Sequence, residues 1–117
     1  MKPVVMMYGI PNCDSIKKAR AWLDSRGISC RFHNYKKEGV DAAQLSLWVE
    51  RLGWEALLNK RGTTWRKLAD EKKEGINRER AILLMCENPS MIKRPVLIVA
   101  ETIEIGFSEQ KYAGLFD

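Results

Sequence analysis

The cysteine at position 13 stands where its sulfur is suited to chemistry. Cys13 follows the turn-forming residues 9–12 and begins a predicted helix. A thiol at a helix start faces unpaired backbone N–H groups and the positive end of the helix dipole, which favour thiolate over thiol. The thiolate is the nucleophile, so we expect Cys13 to attack a disulfide or accept an adduct. Asn12 and Asp14 would help to position the sulfur, and Lys17 would add positive charge one helical turn further on.

The other cysteines form no motif with Cys13. The third position after it, where dithiol oxidoreductases carry a second cysteine, holds Ile16. Another molecule would therefore resolve a Cys13 adduct, and glutathione is the simplest supplier of that thiol. Cys30 on a predicted strand and Cys86 in an apolar helix are interpreted as small buried residues. Three cysteines without C-x-x-C spacing and a single histidine, His33, also argue against a metal site.

The composition is typical of one globular domain. Of the 117 residues, 45% are hydrophobic and 30% are charged, which is sufficient for a core without disulfides. The longest apolar runs, 4–7 and 96–100, are far too short for a membrane span, and no targeting segment is visible. We therefore expect a cytoplasmic monomer without membrane contact. The net charge of +5 suggests anionic partners without identifying them.

Hydrophobic periodicity and turn residues predict three groups of elements. The first is a β-α-β unit, with a strand over 2–8, a helix over 14–26 that buries Ile16, Ala19 and Leu23 and ends at Gly27, and a strand over 29–34. The second is a helical block over 41–88, with Asp41 and Asn77 capping its main helices, Thr63 or Thr64 capping a short turn, and a charged connection over 70–75. The third is a β-β-α unit, with strands over 96–100 and 103–105, a turn at 101–102, and a helix to about 115 that Ser108 caps and Phe107 and Tyr112 staple. This order predicts a thioredoxin-like (glutaredoxin-like) α/β domain over 1–117, with a mixed four-stranded sheet and a helical insertion between its halves.

Within this order, Arg94 and Pro95 stand at the entrance to the strongest strand. The bond between them is a candidate cis peptide beside the active cysteine. Proline there would leave a backbone edge open to an extended, peptide-like ligand such as glutathione. Arg94 would then lie near the sulfur and pair with a carboxylate or an oxyanion.

The segment 60–67 is a basic loop that contains glycine, two threonines and a tryptophan. It is suited to hold an anion, and Arg61 is predicted to bind a carboxylate of glutathione or an oxyanion. Trp65 lies at helical spacing to Leu68, which favours a core residue over a stacking platform. Because the basic residues are dispersed along the chain, we expect no direct nucleic-acid binding.

Four segments together resemble the arsenate reductase-related (ArsC/Spx) family and, within it, the YffB-type branch. The segments are residues 8–14, 53–59, 61–68 and 93–97. The resemblance extends over nearly the whole chain and implies a thioredoxin-like domain with a helical insert. It implies a reactive cysteine at Cys13, an oxyanion-binding arginine at Arg94 and a cis proline at Pro95. It also implies a glutathione-dependent thiol reductase, with glutathione as co-substrate and a small-molecule or protein disulfide as partner.

The chain departs from the glutathione-coupled arsenate reductases of that family at three places. Those enzymes have a histidine where this chain has Gly9, an arginine where it has Asn59, and a further arginine in the region matching 105–108. A charge-assisted hydrogen bond contributes roughly 1.5–3 kcal/mol, so an oxyanion held by two arginines instead of three should bind less well. Arsenate reduction with glutathione and glutaredoxin is thus the first alternative. The second is an Spx-like, non-enzymatic regulator that binds RNA polymerase, although Spx proteins typically keep the C-x-x-C that Ile16 removes here.

Overall fold

The computed structural model describes residues 4–116. In chain order, the described elements are β1 (Val5–Gly9), α1 (Asp14–Ser25), β2 (Arg31–Asn34), α2 (Tyr35–Glu38), α3 (Ala42–Leu52), α4 (Trp54–Leu57), α5 (Thr63–Arg66), α6 (Asp70–Lys73), α7 (Arg78–Glu87), a 3-10 helix (Pro89–Met91), β3 (Val96–Val99), β4 (Thr102–Ile105) and α8 (Glu109–Phe116). The predicted first strand began at Lys2, and Lys2 and Pro3 lie outside the described residues. Within the described residues, no helix is long and apolar enough to cross a bilayer.

The chain divides into two compact units. The first contains the residues up to Asn34 and those from Arg94 onward, and the second contains residues 35–93. The first unit holds all four strands, α1 and α8. The second unit holds the remaining helices.

The first unit is built on a mixed four-stranded sheet in the order β2-β1-β3-β4. Strands β1 and β2 are parallel, as expected for a β-α-β crossover through α1, whereas β3 is antiparallel to both β1 and β4. In the central pair, Met7 lies opposite Leu97, and Tyr8 lies opposite Val96. This arrangement confirms the predicted thioredoxin-like α/β fold.

Helix α1 covers the sheet with the apolar face that its spacing predicts. Ile16 and Ala19 are fully buried, and Leu23 is nearly so, in one cluster with Met7 and Leu97 of the central strands. The helix ends one residue before the predicted boundary, and Gly27 follows it with a φ of +68°, a conformation that suits glycine.

Helix α8 begins as its capping residues predict. The Oγ of Ser108 accepts a hydrogen bond from the N–H of Lys111 at 3.1 Å. The rings of Phe107 and Tyr112 meet edge to face, with centroids 4.8 Å apart. The predicted cap and hydrophobic staple are therefore both confirmed.

The two main helices of the second unit are capped by the predicted side chains. The Oδ1 of Asp41 accepts from the N–H of Ala43, and the Oδ1 of Asn77 accepts from the N–H of Arg80, each at 3.0 Å. Gly53, with a φ of +87°, ends α3 as predicted. The buried residues of these two helices are Leu45, Trp48, Val49, Ala81, Leu84 and Met85.

The structure corrects several local predictions. Short helices α2 and α6 lie where no helix was predicted, because single turns carry too little periodicity to be distinguished from polar loops. Gly62 is the N-cap of α5, so neither Thr63 nor Thr64 has that role; the hydroxyl of Thr64 instead lies 2.8 Å from that of Ser90. The turn between β3 and β4 falls at 100–101 rather than 101–102.

Gly9 ends β1 where there is no room for a side chain. A Cβ built on Gly9 would collide with the Cδ1 of Ile16 and would lie 3.6 Å from the Cβ of Arg94. Ile16 is fully buried, so it has little space into which to move. With Ile16 and Arg94 in these positions, a histidine at position 9 would not fit.

We expect Gly9→Ala to lower the free energy of unfolding by about 1–3 kcal/mol, because the added methyl group overpacks the core against Ile16. Urea denaturation of the full chain measures this loss. Gly114→Ala is the matched control, since Gly114 is exposed on α8 and an added Cβ would have no neighbour within 4 Å. The control should unfold at the same or slightly higher urea concentration. Equal losses in the two variants would contradict the close packing at Gly9.

Candidate active site

Cys13 is the N-cap residue of α1. Its backbone is extended, with φ −106° and ψ 131°, and its carbonyl oxygen accepts the hydrogen bond of the first helical turn from the N–H of Lys17 at 3.0 Å. The side chain is partly buried, and the thiol is not in a disulfide. The sulfur therefore lies at the positive end of α1, as the sequence predicts.

The surroundings of Cys13 lower the pKa of its thiol. Burial raises the pKa because it penalises the charged thiolate. The backbone N–H of Ile16, the Arg94 side chain and the backbone N–H of Ser15 stabilise the thiolate, and together they outweigh burial. Ser15 and Ile16 are the second and third residues of the helix, whose N–H groups have no acceptor within the helix.

Arg94 supplies the positive charge beside the sulfur. Its side chain hydrogen-bonds to Cys13, and its charge also attracts the thiolate. The sheet explains the proximity: since β3 runs antiparallel to β1 with Tyr8 opposite Val96, the residues before β3 lie beside those that follow β1. Lys17, which was also predicted to add charge, has an exposed side chain.

The peptide bond between Arg94 and Pro95 is cis, which confirms the prediction. Pro95 is buried, and its carbonyl oxygen accepts a hydrogen bond from the N–H of Gly106 at 2.9 Å. Proline has no N–H, so the main chain of Pro95 offers a ligand only the second lone pair of this oxygen. Its role in binding glutathione stays a prediction.

The remaining predicted site residues, Asn12 and Arg61, belong to different units. Asn12 is exposed in the turn before Cys13, in the unit that also contains Arg94. Arg61 is exposed in the second unit, and its N–H donates to the Oδ1 of Asn59 at 3.1 Å. The participation of Arg61 in binding at Cys13 stays a prediction.

The other two cysteines have surroundings of the opposite kind. Burial raises the pKa of the Cys30 thiol, and the nearby charge of Arg20 only partly opposes it. Burial also raises the pKa of Cys86, and the negative charges of Asp41 and Glu87 raise it further. The raised pKa values fit unreactive thiols, but both residues are only partly buried and not fully buried as predicted.

Several contributors to the site are absent from the residues that the sequence predicts for it. The N–H groups of Ser15 and Ile16 could have been predicted from the sequence, because a side chain at the N-cap position faces the second and third N–H groups of its helix. No sequence pattern indicates Gly9 or Gly106. Gly9 matters because Ile16 packs closely against it, and Gly106 matters because its N–H donates a hydrogen bond to Pro95.

Comparisons with known proteins find relatives that match almost the whole chain. The ArsC family model matches residues 8–115. A solved YffB protein is 43% identical, with a TM-score of 0.92 over 95% of this chain and 97% of its own. The solution structure of an arsenate reductase (ArsC) related protein from Brucella melitensis is 45% identical, with a TM-score of 0.77 over 97% of this chain and 95% of its own. The global transcriptional regulator Spx of Streptococcus agalactiae is 28% identical over 110 residues, which are 92% of this chain and 80% of that relative.

We expect the alkylation of Cys13 by iodoacetamide to show a pH midpoint below the ordinary thiol value of about 8.5. A lowered pKa means that the thiolate persists to lower pH, so Cys13 should react faster than Cys30 and Cys86 at neutral pH. The measurement uses a chain with Cys30→Ser and Cys86→Ser, in which only Cys13 can be alkylated. Alkylation rates over roughly pH 5–10, on both sides of the expected midpoint, would give the titration of Cys13 alone.

Arg94→Ala in the same background should raise the midpoint and slow alkylation at neutral pH by roughly threefold to tenfold, since tenfold corresponds to one pKa unit. Lys17→Ala is the control, because it removes an exposed cation from the same helix. A midpoint that moves equally in both variants would assign the effect to general surface charge and not to Arg94.

Proposed function

The chain belongs to the ArsC family, and on that premise we propose that it is a glutathione-dependent thiol-disulfide oxidoreductase with Cys13 as its only nucleophile. One observation carries the proposal: Cys13 stands at the N-cap position of α1, where backbone N–H groups and Arg94 lower its pKa. A thiolate that is available at neutral pH is the species that attacks a disulfide.

In the first step, the Cys13 thiolate attacks one sulfur of a disulfide. A bond forms between the two sulfurs, the disulfide bond breaks, and the other sulfur leaves as a thiolate that takes a proton from water. Arg94 lies beside the reacting sulfur and stabilises negative charge there. The negative charge then passes to the leaving thiolate. The Arg94 guanidinium would therefore stabilise first the attacking and then the leaving thiolate.

In the second step, the thiolate of glutathione attacks the substrate sulfur of the mixed disulfide. The Cys13 thiolate is released, and the substrate leaves as a mixed disulfide with glutathione. A repeated cycle on that product releases the second substrate thiol and oxidised glutathione, so two glutathione molecules supply the two electrons. The third position after Cys13 supports this external route, because Ile16 is fully buried there and offers no thiol.

We propose that glutathione binds through four residues of the predicted site. Arg94 would pair with a carboxylate, Asn12 is exposed in the turn that precedes Cys13, and the carbonyl of Pro95 would offer its second lone pair to the peptide portion. Arg61 is proposed as the second carboxylate ligand. Arg94 and Arg61 would also be the ligands of an oxyanion, so arsenate reduction is the second candidate, favoured by the guanidinium beside Cys13.

We expect incubation with oxidised glutathione to add one glutathione to each chain, and peptide mapping by mass spectrometry to place it on Cys13. Cys13→Ser should take up none, whereas Cys30→Ser should still be modified. With glutathione as reductant, disulfide turnover by Cys13→Ser should fall to the uncatalysed rate, and Cys86→Ser should remain within about twofold of the unmodified chain.

Two results would overturn the proposal. The first is an adduct that maps to Cys30 or Cys86 while disulfide turnover survives in Cys13→Ser. The second is turnover of arsenate with glutathione and glutaredoxin well above background in a chain that does not reduce disulfides, which would assign the site to the second candidate.

A further inference from the structure

The second unit contains a cavity with basic walls, which includes the proposed ligand Arg61 and two lysines that the proposed chemistry does not use. Its volume is about 390 Å³, and it is lined by Glu55, Leu58, Asn59, Lys60, Arg61 and Lys93. Three cations face one carboxylate, so the cavity, here named the basic cavity, carries a net positive charge. Lys60, Arg61 and Lys93 are all exposed to solvent.

The backbone beneath the basic cavity is held by hydrogen bonds. The N–H of Asn59 donates to the carbonyl of Met91 at 2.7 Å, and the N–H of Lys93 donates to the carbonyl of Leu57 at 2.8 Å. Leu58 and Ile92 form the antiparallel bridge between these two bonds, and both are buried. The segments that carry these cations, residues 57–61 and 91–93, are therefore joined by backbone hydrogen bonds.

Two lysines near Trp65 lie over aromatic rings: Lys60, which lines the basic cavity, and Lys73, which does not. The Nζ of Lys60 lies 5.6 Å from the ring centroid of Trp54 and 5.7 Å from that of Trp65. The Nζ of Lys73 lies 5.5 Å from the Trp65 ring and 3.4 Å from the carbonyl oxygen of Arg66. Within residues 4–116, no carboxylate forms an ion pair with the three cations of the basic cavity.

We propose that the basic cavity is a docking site for an acidic segment of a partner protein. The three cations project from a backbone held by hydrogen bonds, and no carboxylate of residues 4–116 forms an ion pair with them, so this surface is suited to recognise a run of Asp and Glu side chains. Glu55 in the same cavity can accept hydrogen bonds from the N–H groups of a peptide. A phosphodiester backbone offers acceptors only, so it has no donor for the Glu55 carboxylate.

The tryptophans also favour a protein partner over a nucleic acid. Single-stranded nucleic acids gain affinity by stacking bases on aromatic rings. Here Lys60 and Lys73 both lie over the Trp65 ring, and Lys60 lies over Trp54 as well. A base would have to displace these ammonium groups before it could stack, whereas a carboxylate can bind them where they are.

The test is a calorimetric titration of the full chain with a hexaglutamate peptide at low ionic strength, repeated at physiological ionic strength. We expect binding that weakens as salt rises. Lys60→Gln combined with Lys93→Gln should weaken it about tenfold, and Lys18→Gln combined with Lys72→Gln, which removes the same charge from exposed lysines elsewhere, should change it less than twofold. Circular dichroism checks that both double variants are folded.

Three results would overturn the proposal. The first is an equal loss of affinity in the two double variants. The second is tighter binding of an oligothymidylate of the same charge, weakened by Lys60→Gln and Lys93→Gln. The third is displacement of the peptide by inorganic phosphate at concentrations similar to the peptide's own, which would reduce the cavity to a small-anion site. The Cys13→Ser chain should bind hexaglutamate unchanged, so the outcome is separate from that of the thiol chemistry.

Discussion

The attraction between one sulfur and the positive groups around it is the interaction on which the site depends. Two independent parts of the first unit create it. The packing of α1 on the sheet, through Ile16 and its neighbours, presents two backbone N–H groups to Cys13. The antiparallel pairing of β3 with β1 brings Arg94 to the same place. Both elements act against the penalty of partly burying a thiolate, which is the largest single influence on the Cys13 pKa.

The three cysteines show how far surroundings, and not residue type, decide reactivity. Arg94 and backbone N–H groups lower the pKa of Cys13, whereas burial and two nearby carboxylates raise the pKa of Cys86. Burial also raises the pKa of Cys30, by more than the one nearby cation lowers it. The pKa of a cysteine thiol is therefore lowered at one position of this chain and raised at two others. Selectivity for Cys13 needs no special chemistry of that residue, only its position at the start of a helix and beside Arg94.

The sequence predicts the strands, the main helices and the caps at Asp41 and Asn77, because each depends on local pattern. It predicts the cis bond at Pro95 through the order of the elements, which places this proline at the entrance to a strand of a thioredoxin-like domain. It also identifies Cys13 from its position alone. The single-turn helices α2 and α6 were not predicted, because four residues are too few to show a helical pattern of apolar side chains. The packing at Gly9 and the hydrogen bond from Gly106 to Pro95 depend on contacts between distant segments, which no local pattern contains.

Ile16 has a consequence for how this protein could change over evolution. It occupies the place of a second thiol, yet it is also a fully buried core residue that fills the space under Gly9. Replacing it with the smaller cysteine would leave a void in the core, and a change from one reactive sulfur to two would therefore require compensating substitutions around it. In the proposed reaction, the need for an outside reductant is thus tied to the hydrophobic interior, and the oxidation state of Cys13 would follow the thiol pool around it.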